Sequence, residues 1–300
     1  MLAARRGLEP PTFGLGNRCS ILLSYRAVRG RFRGRRRMAS SGKLTWASRV
    51  FVSVTLLLAA GCGQGGLERL ARGESGKVVS VHSGDSFTLD SGLEVRLAGV
   101  EAARGDQPFA DQARTALTLL VVGRKVQLLY GGARRDRYGR ALAQVKLIDN
   151  GDWVEGVLLR RGAVRARTWA DNRAMARPML EDEAYARNRS LGLWALKDYR
   201  VLTPPETVGR PGFQIVEGRV LGSGAAADGS GVALEFQRGP GERFTAEIDA
   251  KALADFRTVG DGPETLNGKL VRVRGPIRYG ADGPVMKLDH PEQVELLKER

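Results

Sequence analysis

The feature that most constrains the fold is a run of short alternating segments that begins at residue 77. Hydrophobic and polar residues alternate over KVVSVHS, SFTLD and LEVRLAGV, which is typical of β-strands. A helix follows, with Asp106 expected as its cap and Gly123 at its end. The segments KVQLLY and ALAQVKLI predict two more strands, and further helices are expected at 152–161 and from about Pro178. This order predicts a five-stranded OB-fold barrel with three helices.

A second pattern of the same kind follows a proline-rich segment. Residues 199–211 are expected to form a linker because they contain prolines and glycine. A short helix is predicted at 249–256, between the third and fourth of five strands. These strands are predicted near 213–221, 231–237, 242–248, 268–278 and 284–287. Residues 212–298 therefore predict a second small OB-like β-barrel, and the fold class is mainly β with helices (α+β).

The net charge of +15 suggests a nucleic-acid partner, but its distribution changes this interpretation. Residues 1–61 contain 12 basic residues and one acid, whereas residues 201–300 contain 13 basic and 15 acidic residues. Residues 62–200 contain 23 basic and 17 acidic residues. Most of the excess positive charge lies in residues 1–61, which we call the leader. The smaller positive excess over residues 62–200 is consistent with weak attraction of phosphates.

The leader has two parts. Residues 1–37 include the basic run RGRFRGRRR, which is typical of an arm that binds nucleic acid or anionic lipid. We favour the alternative that this part is a spurious extension. The stretch RRGLEPPTFGLGNRCSILLSYR resembles the translated complementary strand of a transfer-RNA gene. Met38 is then the expected start.

Residues 38–62 predict a lipoprotein-type signal peptide. Lys43 and Arg49 provide the positive n-region. They precede the apolar segment VFVSVTLLLAA, which is shorter than the ~20 residues that a membrane-spanning helix needs. The following LAAGCG resembles a bacterial lipobox. This resemblance implies a lipid on Cys62 and an exported, membrane-anchored protein on the periplasmic face of a bacterial envelope. The alternative is an ordinary signal peptide with an incidental cysteine.

Two further predictions concern the residues around this anchor. Residues 63–76 are glycine-rich and polar, and they predict a flexible tether. The chain contains two cysteines, Cys19 and Cys62, so no disulfide framework or cysteine-based zinc site is expected.

Several stretches in order resemble the staphylococcal nuclease-like (thermonuclease) family. They are SGDSFTL, VRLAGVEA, DRYGRALAQV, LLRRGAVRA and GLWA, within a domain predicted at 77–198. The C-terminal barrel resembles a tail of some bacterial members. The resemblance implies a nuclease that cleaves DNA or RNA with little sequence specificity and depends on a divalent cation, calcium or magnesium. A monomer is expected.

The resemblance also implies roles for individual residues. Asp85 and Glu101 fall where the family has metal-binding carboxylates, and hard cations prefer oxygen ligands. Arg96 and Arg140 fall where it has phosphate-binding arginines, whose parallel N–H groups suit phosphate oxygens. Tyr138 matches a tyrosine that lies near the nucleotide.

Three departures from the family pattern leave the activity open. Ser83 stands where an acid is expected, Ala103 replaces a proline, and Arg104 replaces the glutamate taken as general base. Asp106 and His82 are alternative bases, and Arg104 is expected to hold a phosphate. The alternative function is therefore a catalytically impaired nuclease-like lipoprotein that binds nucleic acid or serves as a scaffold.

Overall fold

A computed structural model describes residues 64–226, 229–236, 244–259, 262–280 and 283–298. The predicted start at Met38, the signal peptide and the lipidation site at Cys62 lie outside the described residues.

The first half of the described chain contains seven strands and three α-helices. The strands are β1 (Ala71–Ser83), β2 (Ser86–Leu89), β3 (Glu94–Leu97), β4 (Val100–Glu101), β5 (Lys125–Tyr130), β6 (Ala141–Leu147) and β7 (Arg165–Ala166). The helices are α1 (Ala110–Val121), α2 (Val154–Arg160) and α3 (Ala176–Arg187).

Five of these strands form a closed barrel in the order β1-β2-β3-β6-β5. Strands β3 and β6 pair in parallel, and the other neighbours are antiparallel. The barrel encloses a core to which Phe87, Leu128 and Val145 contribute fully buried side chains. This closed barrel with three helices confirms the predicted first OB-fold.

The alternation of side chains along β3 explains how a polar site can lie on this barrel. Val95 and Leu97 are buried in the core, and Arg96 between them is directed to the other face. The short strands β4 and β7, which the sequence pattern did not predict, pair antiparallel with Glu101 opposite Arg165.

The predicted tether at 63–76 is wrong for the described part of that segment. Residues 64–69 form a 3-10 helix, and β1 begins at Ala71 and pairs with β5. The glycines in this segment allow other side chains to pack closely against the backbone and do not make the segment flexible. A Cβ at Gly73 would lie 2.1 Å from the ring of Tyr130, and one at Gly76 would lie 2.7 Å from the carboxylate of Asp90.

Helix α1 begins later than the sequence predicts. Asp106 is exposed and does not cap it, because residues 104–109 form a turn instead. The amide of Gln107 donates to the carbonyl of Arg104, and Phe109 lies at the N-cap position with φ of 76°. The helix then runs from Ala110 with its apolar face on the barrel core.

The second half repeats the plan. Its strands are β8 (Gly212–Ala225), β9 (Gly231–Phe236), β10 (Thr245–Asp249), β11 (Leu270–Gly280), β12 (Gly283–Leu288) and β13 (Val294–Leu296), with helix α4 (Leu253–Val259) after β10. Strands β8-β9-β10-β12-β11 close into a ring with β10 and β12 parallel, and β13 adds to β11. The second predicted barrel is confirmed.

The segment between the barrels is packed against them. Thr203 and Glu206 form a capping box at the 3-10 helix Pro204–Thr207, and buried Leu202 bridges to Val216 of β8. A small apolar cluster contains residues of both barrels, among them Ala103, Trp194 and Ile215. The two barrels therefore share a buried interface.

Candidate active site

The turn between β1 and β2 positions Asp85. Glycine at position 84 lets this turn pack against α1 and Ala102. A Cβ there would lie 2.6 Å from Cβ of Ala113 in α1 and 2.8 Å from Cβ of Ala102. The tight packing fixes the carboxylate of the next residue, Asp85, which has no exposed surface.

Four groups donate to or pair with the carboxylate of Asp85. The hydroxyl of Ser83 donates to Oδ1 at 2.8 Å, and the backbone amide of Ala102 donates to Oδ2 at 2.9 Å. Guanidinium nitrogens of Arg96 and Arg104 lie 3.0 and 3.1 Å from the same Oδ2. The carboxylate of Asp85 therefore accepts hydrogen bonds from four groups, two of which are charged guanidinium groups.

These contacts outweigh the effect of burial on Asp85. Burial by itself would raise the pKa of Asp85, because it disfavours the charged form. Arg96, the amide of Ala102, Arg104 and the hydroxyl of Ser83 hold this pKa below its ordinary value. Asp85 is thus an anion at neutral pH and a weak proton acceptor.

The guanidinium of Arg96 is hydrogen-bonded to backbone carbonyls as well as paired with Asp85. Its Nη1 donates to the carbonyl of Leu97 at 3.1 Å and its Nη2 to the carbonyl of Val100 at 3.0 Å. The pKa of Arg96 is lowered to about 10, mainly by burial; Asp85 opposes this effect, and Arg104 and Arg140 add to it. Arg96 therefore joins Asp85 to the turn that leads into β4.

Glu101 is engaged by two other arginines. Its carboxylate lies 3.4 Å from Nη2 of Arg165 and also accepts from Nη1 of Arg167. Arg165 in turn donates to the carbonyl of Phe213 in β8 at 3.2 Å. The second barrel thus helps to hold the residue that was predicted as the second metal ligand.

Arg140 is paired with Asp136, a residue to which the sequence pattern assigned no role. Asp136 accepts from Nε of Arg140 at 2.7 Å and lies 2.6 Å from its Nη2. Asp136 also accepts from the amide of Tyr138, whose side chain is 74% exposed. The guanidinium of Arg140 lies 5.4 Å from the centroid of the Tyr138 ring. The loop DRYGR therefore presents an arginine and an aromatic ring together.

An open cleft of about 430 Å³ adjoins these groups. Its lining includes Asp85, Arg104 and Arg140, together with the alternative base His82. The other alternative, Asp106, does not line it. The cleft is also lined by Asp111 and Arg114 of α1, which our sequence reasoning missed. Their spacing of three residues on a helix is the signal that would have placed them on one face.

A neighbouring groove of about 640 Å³ continues from the cleft. Arg104 and Arg140 line both, while Arg96, Glu101 and Tyr138 line the groove. The groove also includes Trp169, which is 41% exposed, whereas Trp153 is buried in the core. All six residues assigned to the site from the sequence thus lie along one continuous surface, although Glu101 and Asp85 are each paired with arginines.

The fold and this site define a nuclease-type OB-fold domain. Residues 94–196 match the family model described as "Staphylococcal nuclease homologue". This match confirms the resemblance to the staphylococcal nuclease-like family that the motifs predicted.

Proteins named as nucleases are similar to part of the chain. "Probable endonuclease lcl3" of Aspergillus fumigatus is 35% identical over 129 residues, which are 37% of this chain and 42% of that protein. "Staphylococcal-like nuclease CAN1" of Arabidopsis thaliana is 30% identical over 103 residues, 34% of this chain and 30% of that protein.

A bacterial relative is also similar. "Uncharacterized endonuclease" of Haemophilus influenzae is 29% identical over 124 residues, 40% of this chain and 65% of that protein. The matched part of the chain spans about two fifths of lcl3 and less of CAN1.

Nucleases of this family generally depend on a divalent cation, so we tested whether the residues present fit one. Among the described residues, no group of three His, Cys, Asp or Glu side chains is arranged so that it could hold a metal ion. Oδ2 of Asp85 already has three partners, and the carboxylate of Glu101 is paired with two arginines. As arranged, these residues do not fit a divalent-cation site, which disagrees with the ligand roles predicted for Asp85 and Glu101.

Proposed function

We propose that the protein hydrolyses phosphodiester bonds of DNA or RNA with little sequence specificity. The observation that carries the proposal is the contact of Arg96 and Arg104 with buried Asp85, beside an open cleft that Arg140 also lines, in a chain that resembles a nuclease family. The names of the similar proteins support the same reaction class.

The arginines would bind and stabilise the phosphate. Arg104 and Arg140 line the cleft, so their guanidinium groups are available to a phosphodiester there. Such groups offset the negative charge that grows on the phosphate oxygens as water attacks. Arg96 is mostly buried and would act through Asp85 and the carbonyl groups that it holds.

The proton of the attacking water needs a separate acceptor. Asp85 is a poor base because both its oxygens are engaged and its pKa is lowered. Two other titratable groups line the cleft, His82 and Asp111. Asp111 has no ion pair among the residues that the structure describes, whereas Nε2 of His82 lies 2.6 Å from Oγ1 of Thr88. We therefore favour Asp111 as the acceptor.

The test uses a chain that begins at residue 63, since both barrels lie within 64–298. It is incubated with labelled single-stranded DNA or RNA, with calcium, magnesium or chelator, over a range of pH. We expect cleavage, and we expect Asp85→Ala, Arg140→Ala and Asp111→Asn to abolish it. The control Arg177→Gln removes an exposed arginine of α3 and should cleave normally. Failure of the unaltered chain to cleave under every condition would contradict the proposal.

A second candidate is a module that binds nucleic acid without cleaving it. The contact between Arg104 and Asp85 favours it, because position 104 then holds a cation where a general base is expected. Under this candidate the unaltered chain binds DNA but does not cleave it, and Arg104→Glu gains cleavage. Cleavage of DNA by the unaltered chain would eliminate this candidate.

We also propose that the protein is exported and anchored through a lipid on Cys62, outside the cytoplasm of a bacterium. The support is the signal-like sequence of residues 38–62. None of the helices in the described part of the chain is long and apolar enough to cross a membrane.

A further inference from the structure

We propose that the guanidinium of Arg104 occupies the position at Asp85 for which the family resemblance predicts a divalent cation, so that the cleft binds nucleic-acid phosphates without a metal ion. The inference relies on the proposed function in one respect: it takes a phosphodiester as the ligand of the cleft. It does not require that the phosphodiester is cleaved.

The first support is the number of donors at Asp85. Its Oδ2 is contacted at 2.9 to 3.1 Å by an amide, by Arg96 and by Arg104. Its Oδ1 accepts from the hydroxyl of Ser83. A carboxylate presents about four lone-pair sites, so these four donors leave little capacity for a metal ion.

The second support is the local charge. Arg96 and Arg104 both contact Oδ2 of Asp85, and Arg140 lines the same cleft as Arg104, so three guanidinium groups lie close to one carboxylate. A divalent cation would add two positive charges to this group. Like charges repel strongly in a partly buried site. A phosphate anion would instead relieve the repulsion among the three guanidinium groups.

The third support is the position of the Arg104 side chain. It is 52% exposed and lines both the cleft and the groove, while one terminal nitrogen contacts Asp85. A guanidinium has five N–H donors in a planar fork, so the others remain for a ligand. The backbone amide of Arg104 donates to the side chain of Gln107 at 2.9 Å, which fixes the turn that carries it.

The second predicted ligand follows the same pattern. Glu101 is only 18% exposed, and the two partners of its carboxylate are Arg165 and Arg167. Arg165 is fixed from the other side by the carbonyl of Phe213. Arginines thus accompany both carboxylates that the resemblance assigns to a metal ion.

The experiment measures binding separately from cleavage. Fluorescence anisotropy of a labelled oligothymidylate with cleavage-resistant phosphorothioate linkages gives the affinity in chelator and in calcium. Calorimetry with calcium alone measures metal binding. The variants are Arg104→Lys, Arg104→Gln and Arg104→Glu, with Arg177→Gln as the matched control for loss of one arginine. Circular dichroism confirms that each variant is folded.

We expect the unaltered chain and Arg177→Gln to bind the oligonucleotide equally well in chelator and in calcium. Arg104→Gln should bind the oligonucleotide ~10- to 100-fold more weakly, since one charge-assisted contact is lost. The affinity of Arg104→Lys should lie between those of the unaltered chain and Arg104→Gln. Calorimetry should detect no calcium binding to the unaltered chain, whereas Arg104→Glu should bind calcium and need it to bind the oligonucleotide.

The inference is overturned if the unaltered chain loses the oligonucleotide in chelator and regains it in calcium, or if calorimetry detects a calcium site in it. It is also overturned if Arg104→Gln binds as well as the control. These outcomes differ from failure of the proposed nuclease function, in which metal-free binding is retained but no substrate is cleaved.

Discussion

The guanidinium of Arg274 in β11 lies 2.8 Å from the carboxylate of Glu183 in α3, and both side chains are almost completely buried although they belong to different halves of the chain. Glu183 also accepts from the amide of Ala166 at 2.8 Å, next to the arginine that pairs with Glu101. The second barrel is therefore joined to the strand that supports the site. An ion pair of this kind fixes a geometry more than it adds stability.

Breaking this pair should be costly. Arg274→Met leaves Glu183 as a buried charge with Arg187 as its remaining cation, so the free energy of unfolding should fall by about 3 kcal/mol or more. Urea denaturation measures the change. The control Arg124→Gln removes one partner of the more exposed pair with Asp149, and it should cost much less because water screens that pair. Equal losses in the two variants would contradict the structural role of Arg274.

Glu155 should make stability depend on pH. It is fully buried in α2, and burial raises its pKa to about 8 from an ordinary value of 4.5. The folded protein therefore holds this proton more tightly than the unfolded chain. The stabilisation is complete below pH 4.5 and is lost as pH rises towards 8, by at most about 1.4 kcal/mol per pH unit.

The comparison of Glu155→Gln with the unaltered chain checks this pH dependence. Urea denaturation at several pH values between 5 and 9 should show a decline in the unaltered chain that is much smaller in Glu155→Gln. Glu181→Gln, at an exposed position of α3, should keep the decline. A decline of the same slope in all three proteins would assign the effect to other groups.

Gly162, which ends the turn after α2, should tolerate no side chain. Its φ is +67°, and a Cβ would lie 2.1 Å from the carbonyl oxygen of Leu191. Gly162→Ala should therefore lower the free energy of unfolding by about 3 kcal/mol or more. Gly123→Ala is the matched control, because φ there is +79° with no atom within 4 Å, and it should cost about 1 kcal/mol. Similar midpoints in thermal unfolding would contradict the role of the contact.

The predicted lipid anchor has a direct test. Cys62→Ser removes the thiol that would carry the lipid, so the protein should move from the membrane fraction to the soluble fraction of a bacterial expression host. Immunoblots of the two fractions measure the change. Ser41→Ala, within the predicted signal peptide but away from the lipobox, should remain in the membrane fraction. Membrane association of Cys62→Ser would remove the lipoprotein proposal.

The sequence was sufficient to predict both barrels, because each strand carries its own alternation and each turn its own glycines. Val95 and Leu97 predict a buried face, and their spacing directs Arg96 to the opposite side. The same local reasoning failed at glycines, because a glycine can indicate either a flexible segment or close packing against the backbone. Gly73 and Gly76 suggested flexibility, but only the folded chain shows that Tyr130 and Asp90 lie against them.

Periodicity and motif order were enough to predict the two five-stranded barrels and six residues along the site surface, but not Asp111 and Arg114 of α1. The tertiary structure decided the partners of those residues. Arg104 is 19 positions from Asp85, and Arg165 is 64 positions from Glu101, so no local pattern relates them. Charges that are distant in the chain interact strongly only when folding brings them together away from water. For this reason the sequence predicted two metal ligands, whereas the folded protein has two carboxylates paired with arginines.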